Sequence, residues 1–144
     1  MEIGEICNCG LLRGSASHLT NIYNKALIQS GINITQFALL KYIYLLKGTN
    51  LKTLNSLLHQ DRSTLGRNIR VIKDLQLVES KIGADKREIK IEITSLGKKQ
   101  LENAYLVWEK INKKVSICLG EEKQNQLTEI MKDISNLDNT KIFP

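Results

Sequence analysis

The chain has 144 residues, of which 42% are hydrophobic, and this is enough apolar material for the core of one domain. That composition excludes a disordered chain, and the formal net charge of +6 suits a polyanionic partner. With one proline and no run of about 18 apolar residues, the sequence indicates neither an interdomain linker nor a membrane span.

The first predicted element is an amphipathic helix from about Cys9 to Ser30, which Gly31 ends. The residues before it are acidic and lack the basic start and apolar stretch of a secretory leader. We therefore expect the protein to be cytoplasmic. The apolar positions of this helix, at three- and four-residue steps, are Leu12, Ala16, Leu19, Tyr23 and Leu27.

Two further helices are predicted before residue 60. The first takes Thr35 as its N-cap and ends at Gly48, and its apolar content predicts a buried position. The second, Leu51 to Leu58, has the length and spacing of the supporting helix in a helix-turn-helix, with His59 and Gln60 in the turn. Their apolar positions are Phe37, Leu40, Ile43, Tyr44 and Leu46, then Leu54, Leu57 and Leu58.

The next helix is the centre of the functional prediction. Asp61 is predicted to cap it by accepting from first-turn backbone amides, and the helix runs to about Gln76. At about 100° per residue its two faces separate into a packing side and a free side. The packing side has Leu65, Ile69, Ile72 and Leu75, and the free side has Ser63, Arg67, Arg70 and Asp74.

Polar and basic side chains near the start of this helix have the donors and acceptors that read base edges in a DNA major groove. A helical face that is merely solvated and basic is the alternative that this helix alone leaves open. The predicted DNA-binding residues on the helix are Arg62, Ser63, Thr64, Arg67, Asn68 and Arg70.

A two-stranded ribbon is predicted after the helix. Its strands are residues 77–80 and 88–93, the second of which alternates Ile89, Ile91 and Ile93 with charged residues. A basic tip at residues 83–87 lies between them, so helix and ribbon together predict a winged helix. Lys86 and Arg87 are predicted DNA contacts in the tip, and Asp85 is predicted to orient Arg87 or another wing residue.

Two helices complete the chain. Thr94 is predicted to open the first, Leu119 and Gly120 interrupt it, and a final helix ends near Asn136. Both, like the first helix, carry more apolar surface than a compact winged helix covers, which predicts burial against a second copy. Their apolar positions are Leu101, Ala104, Tyr105, Trp108, Ile111 and Val115, then Leu127, Ile130, Met131, Ile134 and Leu137.

Three segments resemble the MarR family of winged helix-turn-helix regulators: residues 61–65 in the recognition helix, 85–87 at the wing tip, and 93–97 before the next helix. The resemblance implies a mainly α fold with a small β-wing. It places a DNA-binding region at 33–99 and dimerisation helices at 1–32 and 100–144, all within a single MarR-type domain. It also implies a homodimer that binds double-stranded DNA at a pseudo-palindromic operator. Repression is the commoner mode of action in the family.

The chain departs from the family pattern at two positions. Gln76 stands where many members have glycine, so we expect the turn into the wing to form without glycine's freedom to take a positive φ. Lys86 stands where many have arginine, which keeps the charge but loses the bidentate fork. Gly66 lies inside the recognition helix, where it either permits close approach to DNA or has no function.

Charge is distributed unevenly. Residues 61–99 hold ten Lys and Arg against six acidic residues, whereas residues 100–144 hold six against seven. DNA is the partner that would use this excess, through phosphate contacts and counterion release. An architectural DNA-binding dimer without regulatory chemistry shares the basic surface and is the alternative reading.

The cysteines, Cys7, Cys9 and Cys118, are odd in number, which argues against structural disulfides. They lack the second ligand cluster of a tetrahedral zinc site, and inert packing is the ordinary role of a free thiol. Some MarR proteins resemble this chain in using an N-terminal cysteine to sense oxidants. That resemblance implies that Cys7 or Cys9 reaches Cys118 across the dimer interface.

MarR proteins commonly bind small aromatic acids between the dimerising helices and the winged helix. The resemblance implies such a site for an aromatic or phenolic ligand, bordered by Arg13, Tyr23, Tyr44 and Trp108, although aromatics at helical spacing usually form core. No catalytic constellation, phosphate loop or cofactor motif is present in the sequence, so we expect a protein that is not an enzyme. A cysteine-dependent oxidoreductase is a third, weaker reading.

Overall fold

The computed structural model describes residues 6–58, 60–82 and 89–137. The helices are α1 (Asn8–Leu27), α2 (Ile34–Leu45), α3 (Leu51–Leu58), α4 (Arg62–Asp74), α5 (Ser95–Leu119) and α6 (Glu121–Ser135). Strands β1 (Val78–Ile82) and β2 (Ile89–Ile93) pair antiparallel between α4 and α5. The predicted fold class, mainly α with a small β-wing, is therefore confirmed.

The chain forms two compact units, residues 1–108 and residues 109–144, with the boundary inside α5. The core of the first unit consists of side chains from α1 to α5 and the two strands. Leu54, Leu65 and Ile72 join α3 and α4 to it with no exposed surface. The second unit includes α6, whose described side chains are mostly exposed. The predicted division into DNA-binding and dimerisation regions stays a prediction.

Residues close in the chain determine where α1 ends and where α2 begins. A 3₁₀ turn over Ile28–Ser30 follows α1 and ends at Gly31, whose φ of 69° is the left-handed conformation that glycine adopts readily. The N-cap of α2 is Asn33, not the predicted Thr35. Asn33 Oδ1 accepts from the Gln36 amide at 2.9 Å, and Gln36 Oε1 accepts from the Asn33 amide at 2.9 Å. This reciprocal capping box satisfies two backbone donors, which explains why the helix begins earlier.

An isolated β-bridge joins the loop after α2 to strand β2 of the wing. Thr49 and Ile91 exchange two backbone hydrogen bonds, of 2.9 and 2.6 Å, and Thr49 is buried. The base of the wing is therefore attached to the start of α3 as well as to α4.

Several predicted burial assignments were wrong. Tyr44 and Leu46, at the end of α2, are exposed, as is Leu57 of α3. Leu75 is exposed because α4 ends at Asp74 and the chain turns there. Ile89 is exposed although Ile91, on the same strand face, is buried, since that face continues past the edge of the core.

The turn from α4 into β1 corrects the expectation for Gln76, which has a φ of 58° without being glycine. The Leu77 amide donates to the Ile72 carbonyl at 2.9 Å, and the Gln76 amide donates to the Lys73 carbonyl at 2.8 Å. These are the two bonds of a Schellman helix end, which require a left-handed residue at this position. The two hydrogen bonds at the end of α4 therefore hold Gln76 in the left-handed conformation, which glycine adopts more readily.

Replacing Gln76 with glycine is expected to raise the free energy of unfolding by about 1 kcal/mol, because a left-handed conformation strains a residue that has a Cβ. Urea denaturation followed by circular dichroism measures the change. The Gln126→Gly variant is the control, since the same change inside α6 should lower stability by about 1 kcal/mol. A Gln76→Gly variant that is destabilised as much as the control would contradict the reason given.

Among the described residues, no helix is both long and apolar enough to span a bilayer. Within the same ranges, no three His, Cys, Asp or Glu side chains are grouped closely enough to hold a metal ion.

Candidate nucleic-acid interface

The start of α4 is fixed by the predicted cap. Asp61 Oδ1 accepts from the Thr64 amide at 2.8 Å and from the Ser63 hydroxyl at 2.6 Å. Hydrogen bonds from Ser63 and Thr64 hold the pKa of Asp61 well below its usual range. The carboxylate is therefore ionised at neutral pH and committed to the first turn of its own helix.

One side of α4 is buried and the other is free, as the spacing predicted. Leu65, Ile69 and Ile72 pack into the core. On the opposite side Ser63, Arg67 and Arg70 are exposed. Packing of the apolar side thus determines which side chains the helix presents outward.

The exposed side of α4 is cationic. Among the described residues no carboxylate forms an ion pair with Arg62, Arg67 or Arg70. Arg67 donates from Nη2 to the Thr64 hydroxyl at 3.3 Å, which leaves most of its donors free. A guanidinium without an acidic partner can bind phosphate or a guanine edge without first breaking an ion pair.

The predicted contacts Thr64 and Asn68 are half-buried, in contrast to the arginines. Thr64 accepts from Arg67, so its position orients that side chain as much as it offers a contact of its own. Gly66 lies between Ser63 and Arg70 on the outward side, and a Cβ there would meet no atom within 4 Å.

The junction of α4, β1 and α5 positions the wing. The Thr94 hydroxyl donates to the Gln76 carbonyl at 2.7 Å and accepts from the Gly97 amide at 3.0 Å, which confirms Thr94 as the cap of α5. A Cβ at Gly97 would overlap the carbonyl of Leu77. Only glycine lets α5 pass this close to the turn, a requirement that sequence reasoning did not derive for Gly97.

The charged face of the wing strands is internally neutralised. Lys81 Nζ lies 2.7 Å from Glu92 and 3.0 Å from Glu79, and Lys90 Nζ lies 2.7 Å from Glu92. The bonds from Lys81 and then Lys90 lower the pKa of Glu92 to about 2, and the bond to Glu92 raises the pKa of Lys81. The positive excess assigned to the wing therefore does not come from these strands. The predicted tip residues Asp85, Lys86 and Arg87 lie outside the described residues.

The Glu92→Gln variant is expected to lower the melting temperature at neutral pH, because it removes a carboxylate from between two lysines. Since folding lowers the pKa of Glu92 from about 4.5 to about 2, its stabilisation is complete above the first value and is lost as the pH falls through the second. Thermal unfolding at pH 7 and pH 2 measures this. Glu109→Gln is the control, because it removes a carboxylate that forms no ion pair among the described residues. A deficit of Glu92→Gln that stayed unchanged at pH 2 would contradict the assignment.

The predicted ligand-pocket residues do not all lie at one described cleft. Tyr44 lines a cleft of about 370 Å³ between α2 and α5. Trp108 stacks on Phe37 with ring centroids 5.4 Å apart and also contacts Tyr105, which lines that cleft. Arg13 is exposed on α1, and half-buried Tyr23 has its pKa raised by burial.

All three cysteines are exposed and free. Cys7 is the N-cap of α1, where its sulfur accepts from the Gly10 amide at 3.4 Å. Cys9 lies in the first turn of the same helix, and Cys118 lies in the second unit. Thiol exposure meets one requirement for oxidation at each of the three positions.

The chain is similar to solved transcriptional regulators. At 29% identity and a TM-score of 0.79, 92% of it aligns with all of the M. tuberculosis regulator MosR in complex with DNA. S. aureus MepR, also solved with DNA, aligns in full with 93% of the chain at 22% identity and a TM-score of 0.78. Apo wild-type E. coli MarR aligns over 98% of its length with 90% of the chain, at 20% identity and a TM-score of 0.68. No protein-family model and no curated protein matches the chain.

Proposed function

We propose, from the premise that this chain is a winged-helix regulator of the MarR family, that it binds double-stranded DNA as a homodimer and represses transcription. The observation that carries the proposal is the outward side of α4, where Arg67 and Arg70 have no acidic partner among the described residues. The buried opposite side keeps this surface in one orientation. The DNA complexes of MosR and MepR support the same partner.

Helix α4 lies in a major groove and recognises the base sequence of the DNA. Arg67 binds the O6 and N7 acceptors of a guanine with two parallel donors, and Thr64 limits the positions of its side chain through their hydrogen bond. Arg70, about one turn further along, binds the next base or the flanking phosphate. Ser63 and Asn68 supply shorter polar contacts on either side of the arginines.

The wing contributes through its tip. Lys81 and Lys90 are paired with Glu79 and Glu92, so the paired strands carry the tip without adding net charge. Lys86 and Arg87 are proposed to enter the neighbouring minor groove or to bind its phosphates. Asp85 is proposed to orient Arg87, since a carboxylate facing phosphate is repelled.

A homodimer is supported by exposed apolar residues that are costly for a monomer to present to water. In α6, Leu127, Ile130, Met131 and Ile134 form such a face, each between 37% and 50% exposed. In α1, Leu11 is 57% exposed. Two copies of α4 related by a twofold axis would match a pseudo-palindromic operator, whose half-sites lie about 34–36 Å apart when separated by one helical turn.

Selection of bound fragments from the source genome, followed by competition with random DNA, tests the proposal. A sequence-specific regulator should prefer its selected site by about 10³-fold or more over random duplex at physiological salt. Light scattering of the purified protein should give the mass of two chains. Comparable affinity for all duplexes would favour the architectural dimer instead, and a monomer that ignores DNA would overturn both.

Control by a small ligand is a second part of the proposal, supported by the cleft between α2 and α5. Its walls are largely apolar, from Leu45, Leu101 and Leu106, with the rings of Tyr44 and Tyr105. Lys41 and Lys98 also line it, and Lys98 Nζ lies 5.7 Å from the centre of the Tyr44 ring. Glu102 lines the cleft as well, so the two cations exceed the acidic side chain by one charge. Apolar walls, aromatic rings and a net positive charge suit a flat aromatic anion.

Titration with benzoate and hydroxybenzoates, followed by Trp108 fluorescence, tests the cleft because Tyr105 contacts that ring. Saturable quenching that Lys98→Met weakens, together with release of operator DNA, is the expected result. Unchanged fluorescence and unchanged operator affinity at millimolar ligand would remove the ligand from the proposal.

Oxidation is the alternative signal, supported by the exposure of Cys7, Cys9 and Cys118. Two thiols and one peroxide molecule would give one disulfide and two water molecules, with Cys7 or Cys9 proposed to pair with Cys118 of a second copy. Oxidation of Cys7 would also convert the thiol that caps α1 into one sulfur of a disulfide. Operator affinity that peroxide leaves unchanged, with or without prior alkylation, would remove this signal.

A further inference from the structure

A second cleft lies on the DNA-facing unit, between α3 and the first residue of α4. It has a volume of about 310 Å³ and is lined by Leu51, Lys52, Asn55, Ser56 and Arg62. We infer that this cleft binds one phosphate of the DNA backbone in each half-site, held by Lys52 and Arg62 from two different helices. The inference rests on the proposed function, and it changes the predicted role of Arg62 from base reading to phosphate binding.

The charge of the cleft suits an anion. Lys52 and Arg62 are both exposed, and neither forms an ion pair with a described carboxylate. No acidic side chain is among the described residues that line the cleft. The nearest acid along the chain, Asp61, uses Oδ1 to accept from Ser63 and Thr64, so it is committed to the first turn of α4. Two cations that form no ion pair with a described carboxylate would gain by binding a phosphodiester oxygen.

The neutral side chains of the cleft differ in what they can donate. Asn55 Oδ1 is buried without a hydrogen-bond partner in the described part of the chain, so the amide nitrogen is the group that Asn55 can offer to a ligand in the cleft. The Ser56 hydroxyl already donates to the Lys52 carbonyl at 3.2 Å. A phosphate, which accepts hydrogen bonds, would therefore use Asn55 rather than Ser56.

The position of Arg62 distinguishes it from the base-reading arginines. At about 100° per residue, Arg62 is on the same flank of α4 as Leu65 and Ile69, which are buried, and it lines a cleft with α3. Arg67 and Arg70, in contrast, lie near the middle of the outward side of α4. When α4 enters the major groove, the helix before it crosses the backbone, where phosphate is the available group.

Binding of operator and random duplexes across a salt series tests the inference. Lys52→Gln is expected to weaken both duplexes by the same factor and to lower the slope of log affinity against log salt by about one per half-site. The matched control is Lys25→Gln, the same change at an exposed lysine of α1, which should leave affinity and slope unchanged. Arg62→Gln should behave as Lys52→Gln does.

An operator series with one uncharged methylphosphonate in each half-site then identifies the phosphate. At one position the wild type should lose about the factor that Lys52→Gln loses, and Lys52→Gln should lose little more there. If losses add at every position, or Lys52→Gln alters the preference for operator over random DNA, the cleft does not bind a backbone phosphate. A wild type without operator preference would instead overturn the proposed function itself.

Discussion

The Arg67→Ala variant is expected to bind its operator with a free energy less favourable by ~1–3 kcal/mol and to lose discrimination at one base pair of each half-site. The side chain is exposed, lacks an ion pair among the described residues, and is hydrogen-bonded through Nη2 to Thr64 at 3.3 Å. Its loss therefore removes a partly oriented, bidentate donor. Fluorescence anisotropy with operators substituted one base pair at a time, at a fixed salt concentration, measures both effects.

Two further variants separate base reading from charge. Arg67→Lys keeps the charge but has no planar fork, so it should lose most of the discrimination and less of the affinity for random DNA. Arg13→Ala removes an exposed arginine of α1 and should change neither. If Arg67→Ala weakens all sequences equally and only reduces the salt slope, Arg67 binds phosphate and another residue reads the base.

Features that depend on neighbouring residues in the chain were predictable. Asp61 and Thr94 cap their helices as expected, and Gly31 takes the left-handed conformation expected of a helix stop. A cap requires only one acceptor within three residues of a free amide. The outward and buried sides of α4 followed from the same short-range periodicity.

Features that depend on the end of an element or on a distant neighbour were not predictable. Leu75 continues the apolar spacing of α4, yet the helix has already ended, and the periodicity holds no signal for that end. Thr35 and Asn33 are both good caps, and only the partner Gln36 decides between them. The pairing of Lys81 with Glu92 needs the strand register, which spacing alone leaves undetermined.

The register of β1 against β2 also determines which positive charges are paired with acidic side chains. Because Lys81 and Lys90 are balanced by Glu79 and Glu92, α3 and α4 hold five of the nine described Lys and Arg in residues 33–99 that form no ion pair. Residues 51–74 hold five Lys and Arg against two acidic residues. The affinity for DNA is therefore expected to depend on the two helices, with the wing strands acting as a neutral support for the tip.

The Gly97→Ala variant is expected to lower the free energy of unfolding by ~3 kcal/mol, near the upper end for added bulk in a packed core. The new Cβ would overlap the carbonyl of Leu77, which is backbone and cannot rotate away. That carbonyl also accepts from the Thr94 amide at 3.0 Å, so moving it disturbs the cap of α5. Urea denaturation followed by circular dichroism gives the change directly. A loss below about 1 kcal/mol would mean that the junction adjusts easily.

The Gly66→Ala variant is the matched control, since the same methyl group is added to a helix at a site where nothing lies within 4 Å. Its free energy of unfolding should rise by about 1 kcal/mol, because alanine favours a helix over glycine by about that amount. DNA binding then distinguishes the two explanations for this glycine. If the DNA backbone approaches α4 closely at Gly66, the variant becomes more stable and yet binds its operator less tightly. Unchanged affinity with the gain in stability would mean that Gly66 has no part in binding.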